Sequence, residues 1–336
     1  MKKILIFIAV LFLGFTAVAC NQEDSGSKEE LKVALVLTGA INDKGWNQKG
    51  YEGLVAIGAK YDAQTAYNEN TQAAQYNQVI RTYAKDGYNV IIAHGTQLTD
   101  AVKEVAKEYP DIKFIITSSD RTAKLGNGSN IAGVLADGVE QGFLMGVTAA
   151  YIAQDQGSKK VAAVGGTEIP AIKTTIDGAK AGVAYVDKAI EVLSAYTGSF
   201  DDVNKLKEQS ITFIQQGATV VMSTANAATK GAFEATKDQG GKAIGANAGG
   251  QFGTYPDNMS ASGNVDMSKA LLLVLGEIDA GKFKGDNYIY GVKEGVVSIS
   301  FSTTEATIQK VKSKVEDVQA KIASGEIDVQ KIYEGK

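Results

Sequence analysis

Short runs of β-branched residues alternate with stretches whose apolar residues recur every three or four positions, from residue 31 to the end of the chain. The first run, 33–37, predicts a buried strand, and the stretch 46–60 after it predicts an amphipathic helix. Such alternation is typical of parallel sheets covered by helices, so the pattern predicts an α/β fold. Further strands are predicted at 90–93, 114–116, 131–135, 161–164, 191–195, 220–222, 243–244, 259–262, 288–290 and 296–299.

The predicted strands form two series that follow one plan. The second series begins with a helix predicted at about 139–152. Sequence identity between the two halves is slight, so the repeat is one of architecture. A chain of 336 residues, 44% of them hydrophobic, can bury a large core and is long for a single domain. We therefore expect two doubly wound parallel-sheet lobes.

The C-terminal third contains two further predicted helices. One runs from 266 to 280 and is closed by Gly281. The last one begins at Thr303 or Thr304, whose hydroxyl we expect to cap it. Its apolar stripe could be a coiled-coil seam, but we favour a terminal helix docked on its own domain. The stripe consists of Ile308, Val311, Val315, Val318 and Ile322.

The N-terminal segment predicts export and a membrane anchor. A basic head, 1–3, precedes an uncharged run, 4–19, that is too short to span a bilayer comfortably, so 1–19 predicts a signal peptide. The only cysteine, Cys20, follows small residues, and this arrangement resembles a bacterial lipobox, in which the thiol receives a diacylglycerol. Ala17 stands where such a motif usually has Leu. With two acyl chains, palmitate among them, the anchor would be stable; the alternative is an ordinary signal peptide.

Charge and composition after the signal restrict the partners. Residues 21–30 contain no apolar side chain, so 20–30 predicts the lipidated cysteine and a flexible tether. Without Lys2 and Lys3 the chain has 32 basic and 38 acidic residues, a net charge of about −6, and no basic cluster. Nucleic acid is therefore not an expected partner. Because Cys20 is the only cysteine, no disulfide can form within the chain.

The loop after the first strand concentrates candidate ligand-binding groups. The segment 38–54 contains Asn42, Asp43 and Asn47, together with Trp46, the only tryptophan. In open α/β sheets, ligands bind beyond the carboxyl ends of the strands, where helix N-termini offer unpaired N–H groups. The neighbours of Trp46 are polar or flexible, so we expect the indole at the rim of such a site. The alternative is a tryptophan that caps the first helix against a neighbouring loop.

Polar residues also follow other predicted strands. His94 and Gly95 end the strand 90–93, and the imidazole could bond the edge of a heterocycle or be a structural histidine with both nitrogens satisfied. Asn226 and Asn247 lie just past strands of the second series. Their amides suit sugar hydroxyls or a base edge, although each could instead be a cap or turn residue.

Two acids and a glycine complete the candidates. Asp120 follows the strand 114–116 and could contact a ligand, whereas Asp137 is expected to cap the next helix. Gly166 ends the strand 161–164 as part of a glycine pair, but the third glycine of a G-x-G-x-x-G motif is missing. Close approach of the backbone to a ligand or a helix explains this pair better than dinucleotide binding does.

The usual catalytic constellations are absent from the sequence. His94 is the only histidine, and Cys20 belongs to the predicted anchor, which excludes His-rich metal sites and a cysteine nucleophile. Serines near Asp120 could be imagined in a hydrolase triad, yet no G-x-S-x-G elbow occurs. We therefore expect a binding protein, without catalytic residues, metal or cofactor.

Seven stretches match the motifs of one family in the right order and cover nearly the whole mature chain. They are INDKGWNQKGYEGL from Ile41, VIIAHG from Val90, AKEYPDIKF from Ala106, GVEQGFLMGVTAA from Gly138, VGGTEIPAIKTTIDGAKAG from Val164, TGSFDD from Thr197 and DAGKFKGDNYIYGVKEGVV from Asp279. In these stretches the chain resembles the basic membrane lipoproteins related to the purine nucleoside receptor of ABC transporters.

The resemblance implies the type I periplasmic-binding-protein fold. Such proteins have two α/β lobes that close on a ligand about a hinge of three crossover strands. Carried over to this chain, the crossovers lie near residues 136, 265 and 291. One lobe comprises 31–136 with 266–290, and the other comprises 137–265 with 291–336.

The resemblance also implies roles for particular residues. Trp46 stands where the family has an aromatic, usually Phe, that stacks on the base, and Lys293 matches a lysine that contacts the ribose. Asn42, Asp43 and Asn47 match the family's loop around that aromatic. Three positions depart from the family: an acid after the first strand is replaced by 37–39, a Gly-rich loop by 226–228, and a ribose-binding Asp by Asn247.

Taken together, the resemblance implies a monomeric receptor, anchored by lipid on the extracytoplasmic face of the cell membrane. It would capture a purine nucleoside or nucleobase and deliver it to an ABC permease. Three other classes stay open from the residues themselves. They are a receptor for riboflavin, a sugar or another solute, a sensor that signals to a membrane partner, and an enzyme whose lobes close on its substrate.

Overall fold

The computed structural model describes residues 30–43, 45–118, 121–122, 125 and 130–335. The predicted signal peptide, Cys20, most of the tether and Asp120 lie outside these residues. Within them, no helix combines the length and apolar character that a membrane crossing needs.

Twelve strands and ten α-helices occur in the described part of the chain. In chain order they are β1 (Lys32–Leu37), α1 (Trp46–Tyr61), β2 (Gln64–Asn68), α2 (Tyr76–Lys85), β3 (Val90–His94), α3 (Thr99–Val105), β4 (Lys113–Thr117), β5 (Ile131–Ala136), α4 (Gly138–Asp155), β6 (Lys160–Gly165), α5 (Pro170–Val186), β7 (Glu191–Tyr196), α6 (Val203–Gln215), β8 (Val220–Thr224), α7 (Lys230–Gln239), β9 (Lys242–Ala246), β10 (Met259–Val265), α8 (Met267–Asp279), β11 (Asn287–Tyr290), β12 (Val297–Phe301), α9 (Ala306–Ser324) and α10 (Val329–Tyr333).

The strands form two six-stranded sheets, each the centre of one lobe. The first sheet has the order β11-β5-β4-β3-β1-β2, and all its strands are parallel. The second has the order β12-β10-β9-β8-β6-β7 and is parallel except for β12, which runs antiparallel to β10. The chain changes sheets after β5, after β10 and between β11 and β12, so the three predicted crossovers are confirmed.

The first strand shows how the sequence builds a two-sided lobe. Residues Val33–Leu37 are all fully buried, because helices cover both faces of the sheet. Val33, Leu35 and Leu37 pack with α1 and α8, whereas Ala34 and Val36 pack with α2 and α3. Successive side chains of a strand point to opposite faces, so a continuous apolar run is what such a strand requires.

Each predicted strand overlaps a strand of the structure, but β2 was not predicted from the sequence. Its sequence is mostly polar, and its residues are exposed or only half-buried because it lies at the edge of the first sheet. Pairing with β1, from Lys32 opposite Gln64 to Val36 opposite Asn68, holds it as a strand. No hydrophobic pattern marks a strand that is stabilised by one neighbour and covered by no core.

The predicted start of the last helix, with Thr303 or Thr304 as its cap, is wrong. Glu305 caps α9, and its buried carboxylate accepts hydrogen bonds from two N–H groups of the first turn, both at 2.8 Å. Lys242 Nζ lies 2.8 Å from the same carboxylate. A charged acceptor makes stronger hydrogen bonds than a threonine hydroxyl does, which favours Glu305. The apolar stripe of α9 is buried in the core of the second lobe, as expected of a docked helix.

The three crossovers lie side by side and are joined by backbone hydrogen bonds. Asp137 N donates to Tyr290 O and Asp266 N donates to Val296 O, both at 2.8 Å. Each aspartate also caps the helix after its crossover, because its side chain accepts N–H groups at the start of α4 or α8. The prediction that Asp137 caps a helix is therefore confirmed. The hinge and the two long helices that leave it form one bonded unit.

A second carboxylate, Glu140, lies against this hinge. Its Oε2 accepts the N–H of Val292 at 2.6 Å, which ties the first turn of α4 to the turn between β11 and β12. Burial raises the pKa of Glu140 to about 6. The negative charges of Asp137 and Glu294 act in the same direction, whereas the Val292 N–H and Arg121 oppose the change.

Replacement of Glu140 by Gln should change how stability depends on pH. The pKa of Glu140 in the folded chain, about 6, is higher than its ordinary value of 4.5, so the folded state binds this proton more tightly than the unfolded state. The free energy of unfolding of the wild type should therefore fall, relative to Glu140→Gln, as pH rises from 4.5 to about 6, and then stay level.

Urea denaturation at intervals from pH 4 to 8 measures this difference. The exposed Glu326 provides the matched control, since Glu326→Gln removes a carboxyl group that lies on the surface after α9. A Glu140→Gln profile parallel to that of the wild type would contradict the assignment.

Candidate ligand-binding site

Loops at the carboxyl ends of the parallel strands of the two sheets lie against each other. Asn226, just after β8, lies so close to Gly45 in the loop before α1 that a Cβ atom on Gly45 would meet its amide. Asn247, directly after β9, accepts a hydrogen bond from Lys49 of α1 at 3.0 Å. These two contacts join the lobes, so candidate residues from both halves of the sequence meet at one place.

The Asp43 carboxylate organises the loop between β1 and α1. It accepts hydrogen bonds from the N–H groups of Gly45, Asn47 and Gln48 at 2.8–3.0 Å and from the Asn47 side chain at 2.8 Å. Asn47 Oδ1 in turn accepts the N–H of Gly39 at 3.1 Å. Asp43 and Asn47 thus hold the loop in shape and satisfy N–H groups at the start of α1.

The electrostatics of Asp43 agree with this role. Partial burial by itself would raise the pKa of the carboxyl group. The hydrogen bonds from the Asn47 side chain and from the three backbone N–H groups outweigh burial, and the pKa of Asp43 is lowered. The negative charge therefore lies at the positive end of α1, where the helix dipole also favours it.

Trp46 is the first residue of α1, and its indole is half-buried. One face of the indole stacks on the His94 ring, with 4.3 Å between ring centroids and 14° between ring planes. The indole also packs against the edge of the first lobe's core. The tryptophan is therefore held on one face by His94 and by the core, at the start of α1.

His94 is fully buried, and both of its ring nitrogens are bonded inside the protein. Nε2 lies 2.9 Å from the carbonyl oxygen of Trp46, and Nδ1 lies 3.0 Å from the hydroxyl of Thr117. Because a carbonyl can only accept, Nε2 carries the proton and Nδ1 accepts from Thr117. Burial lowers the pKa of His94 to about 4, although the Trp46 carbonyl and Asp43 favour its charged form. The ring is thus neutral at physiological pH, as in the structural alternative of the sequence analysis.

The two candidate glycines make room for protein side chains. Gly95 is buried with φ 131°, and a Cβ there would meet the Gln97 side chain, which donates to Thr38 Oγ1 at 3.0 Å. A Cβ on the buried Gly166 would meet the ring of Phe200, 2.6 Å from Cδ1. The group that comes close to Gly166 in the structure is therefore a loop side chain, whereas the sequence analysis expected a ligand or a helix.

Asn226 and Asn247 share an uncommon backbone conformation. Their φ angles are 48° and 55°, in the left-handed region that Asn tolerates better than most residues. Both side chains are exposed. The turn conformation explains why Asn occupies both positions, which is the alternative given in the sequence analysis. The amides are also exposed, so they can still contact a ligand.

The other candidates are less closely connected. Asn42 is exposed in the first loop, and Lys293 is exposed in the turn between β11 and β12. No hydrogen bond within the described ranges joins either side chain to the remaining candidates. The sequence analysis did not identify two residues of the site, Lys49 and Phe200. Lys49 reads as one of several polar residues on a helix surface, and Phe200 is a single aromatic among polar loop residues. Only their contacts across the fold reveal them.

Two mostly parallel α/β lobes joined by three crossovers define the type I periplasmic-binding-protein fold. An ABC transporter solute-binding protein from Conexibacter woesei DSM 14684 superimposes with a TM-score of 0.71 at 24% identity, over 89% of this chain and 98% of that one. The family model of PnrA-like ABC transporter substrate-binding proteins, named Bmp, matches residues 30–333. The chain belongs to this family, whose members bind solutes and are not enzymes.

Two relatives show the range of names within the family. The transcriptional activator protein Med of Bacillus subtilis (strain 168) is 28% identical over 300 residues, which cover 89% of each chain. The ABC transporter nucleoside-binding protein BmpA of Lactococcus lactis subsp. cremoris (strain MG1363) is 26% identical over 353 residues, covering 96% of this chain and 99% of the relative. The resemblance to the basic membrane lipoproteins is confirmed.

Replacement of Asp43 by Ala should lower the free energy of unfolding by about 1–2 kcal/mol, as expected for loss of a charged helix cap. Urea denaturation at pH 7 measures the loss. Asn42→Ala is the matched control, because Asn42 is exposed in the same loop and makes no hydrogen bond within the described ranges. An equal effect of the two replacements would show that the Asp43 network does not stabilise the loop.

Proposed function

We propose that this protein captures a purine nucleoside or nucleobase outside the cell and delivers it to an ABC importer. Substrate-binding proteins of ABC transporters bind small molecules and pass them to a permease. A nucleoside as ligand is supported by the name of the Lactococcus relative, a nucleoside-binding protein similar over nearly its whole length. The geometry of Trp46 is the observation that carries the proposal to this chain.

Trp46 suits the stacking of a flat heterocycle. His94 covers one face of the indole, so the opposite face is the one left for a ligand. Since His94 is buried, neutral and bonded at both nitrogens, the indole cannot turn without breaking that packing. A rigid aromatic surface loses little conformational entropy on binding, which favours affinity. Phe200, half-buried at the strand ends of the second lobe, offers a further aromatic surface.

Polar contacts to the ligand are proposed from both lobes. Asn226 and Asn247 present exposed amides, and Lys293 presents a cation beside the hinge. In this proposal Asp43, Asn47 and His94 act through the loop and the indole they hold. Asn42, Gly95, Gly166 and Asp120 complete the proposed site.

The lobes are proposed to close on the ligand about the three crossovers. One moving body comprises 31–136 with 266–290, and the other comprises 137–265 with 291–336. This division is supported by the two separate sheets and by the hydrogen bonds that join the crossovers to one another. Closure would bring Trp46 on one lobe and the amides of the other onto opposite sides of a planar ligand.

We also propose that the mature protein is a monomer anchored by lipid. Cleavage after residue 19 would expose Cys20 as the acylated N-terminus, and residues 21–30 would hold the lobes away from the membrane surface. The apolar run 4–19, the small residues before Cys20 and the polar composition of 21–30 support this proposal.

Trp46→Ala should weaken binding of a purine ligand by one to two powers of ten, because stacking on a base contributes about 1–3 kcal/mol. Calorimetry with adenosine, guanosine, inosine, hypoxanthine, riboflavin and a panel of sugars measures the change, and Trp46→Phe should retain most of the affinity. In the wild type, the fluorescence of the only tryptophan should change strongly on saturation.

The exposed Tyr67 on β2 provides the control, since Tyr67→Ala removes an aromatic side chain whose ring packs edge-on against Tyr51. Preference for a sugar over every purine, or tight purine binding by Trp46→Ala with unaltered fluorescence in the wild type, would refute the proposed stacking. Binding of riboflavin alone would keep the stacking and change the ligand.

Cys20→Ser should release the protein from membranes and abolish its metabolic labelling by a radioactive fatty acid. Fractionation of cells that express the full chain, followed by gel autoradiography, measures both effects. Ser27→Ala, a change of similar size within the predicted tether, is the control and should remain labelled. Continued labelling of Cys20→Ser would contradict the anchor.

A further inference from the structure

The Asn247 amide is held between two hydrogen-bond donors. Asn247 follows β9, and its backbone N–H donates to Gly263 O at 2.7 Å. Its Oδ1 accepts the N–H of Val265 at 2.8 Å and the Lys49 ammonium at 3.0 Å. The first donor belongs to the last residue of β10 in the same lobe, and the second reaches across the cleft from α1.

These partners determine which way the amide points. A backbone N–H and an ammonium group can donate hydrogen bonds but cannot accept them. A rotation of the amide by half a turn would place its NH2 group against both donors, and both hydrogen bonds to the side chain would be lost. The oxygen must therefore face Val265 and Lys49, so the assignment of oxygen and nitrogen follows from chemistry alone.

The ammonium group of Lys49 has few other hydrogen-bond or ionic partners among the described residues. Its ammonium also donates to the carbonyl of Val265 at 3.1 Å, and it makes no ion pair with any described carboxylate. Burial lowers the pKa of Lys49, although Glu52 and Asp266 nearby favour the charged form. A half-buried ammonium held only by two neutral oxygens binds each of them firmly, since bonds to a charged donor are the stronger ones.

The Asn247 NH2 group is what remains for a ligand. Its Nδ2 has no protein acceptor among the described residues, and the side chain is exposed at the strand ends that line the cleft. We propose that Asn247 is a donor-only specificity residue, held in that orientation by Lys49 and the Val265 N–H. It selects a ligand with a hydrogen-bond acceptor at this point, such as a keto oxygen, a ring nitrogen or an ether oxygen.

This inference rests on the proposed function and narrows its ligand class. A freely rotating amide could accept from a ligand hydroxyl as well as donate to it, and a carboxylate could only accept. Because its oxygen already accepts two hydrogen bonds, the fixed amide of Asn247 can donate to a ligand but does not accept from one. The Val265 N–H favours this orientation within the second lobe, and Lys49 of the first lobe adds a second, charged donor where the lobes meet.

The ligand arm of the test uses whichever of adenosine, guanosine, inosine, hypoxanthine and riboflavin binds the wild type most tightly. Asn247→Asp replaces the donor by an acceptor and should weaken its binding by about tenfold or more, and Asn247→Ala by about three- to tenfold. Lys49→Met removes the charged one of the two donors that hold the amide oxygen and should weaken binding by about threefold. Lys60→Met, at the other end of α1, is the control and should bind like the wild type.

Tighter binding by Asn247→Asp would overturn the inference, because the ligand would then donate at this point. Wild-type affinity of Asn247→Ala would overturn it as well. If none of the five probes binds, the proposed function fails, and the orientation of the amide is decided by the second arm.

The second arm needs no ligand. In the nitrogen-15 NMR spectrum of the protein, the side-chain NH2 signals of Asn247 are identified as those that are absent from the spectrum of the Asn247→Asp variant. They should shift in Lys49→Met and exchange with water at the rate of an exposed amide, because no protein group accepts from them. Signals that stay in place in Lys49→Met, or that are protected from exchange, would show that Lys49 does not set the orientation.

Discussion

The structure depends on the backbone hydrogen bonds that join its three crossovers. The two bonds from Asp137 N to Tyr290 O and from Asp266 N to Val296 O hold the changes of sheet side by side. Both aspartates also start a long helix, so each lobe's packing begins at the hinge. α4 then runs through the core of the second lobe and α8 through that of the first.

The sequence predicted what burial determines and missed what contact across the fold determines. Strands such as Val33–Leu37 are apolar throughout because both faces are covered, and their pattern is visible without a structure. β2 is an edge strand with mostly polar residues, so pairing alone defines it. Glu305 replaced the predicted threonine cap because Lys242, far away in sequence, stabilises its buried charge. No local pattern carries that information.

The candidate site shows the same division. Its place at the strand ends and the position of Trp46 before the first helix could be predicted from the alternation of strands and helices and from the composition of one loop. The sequence could not show which candidate residues hold the loop in place and which are exposed. The side chains of Asp43 and Asn47 form hydrogen bonds within the loop, and both ring nitrogens of His94 are bonded to protein groups. Lys49 gave no signal at all, since a lysine on an amphipathic helix ordinarily faces solvent.

The bond between Lys49 and Asn247 has a consequence for transport. A receptor whose lobes bind each other directly supplies part of the free energy of closure itself, and each 1.4 kcal/mol raises the closed population about tenfold. A larger closed population improves apparent affinity, because less of the ligand's binding energy is needed to close the lobes. It also increases the number of empty receptors that a permease would meet in the loaded shape. In the proposed mechanism, one side-chain contact would thus raise the affinity for solute and also raise the number of unproductive encounters between empty receptor and permease.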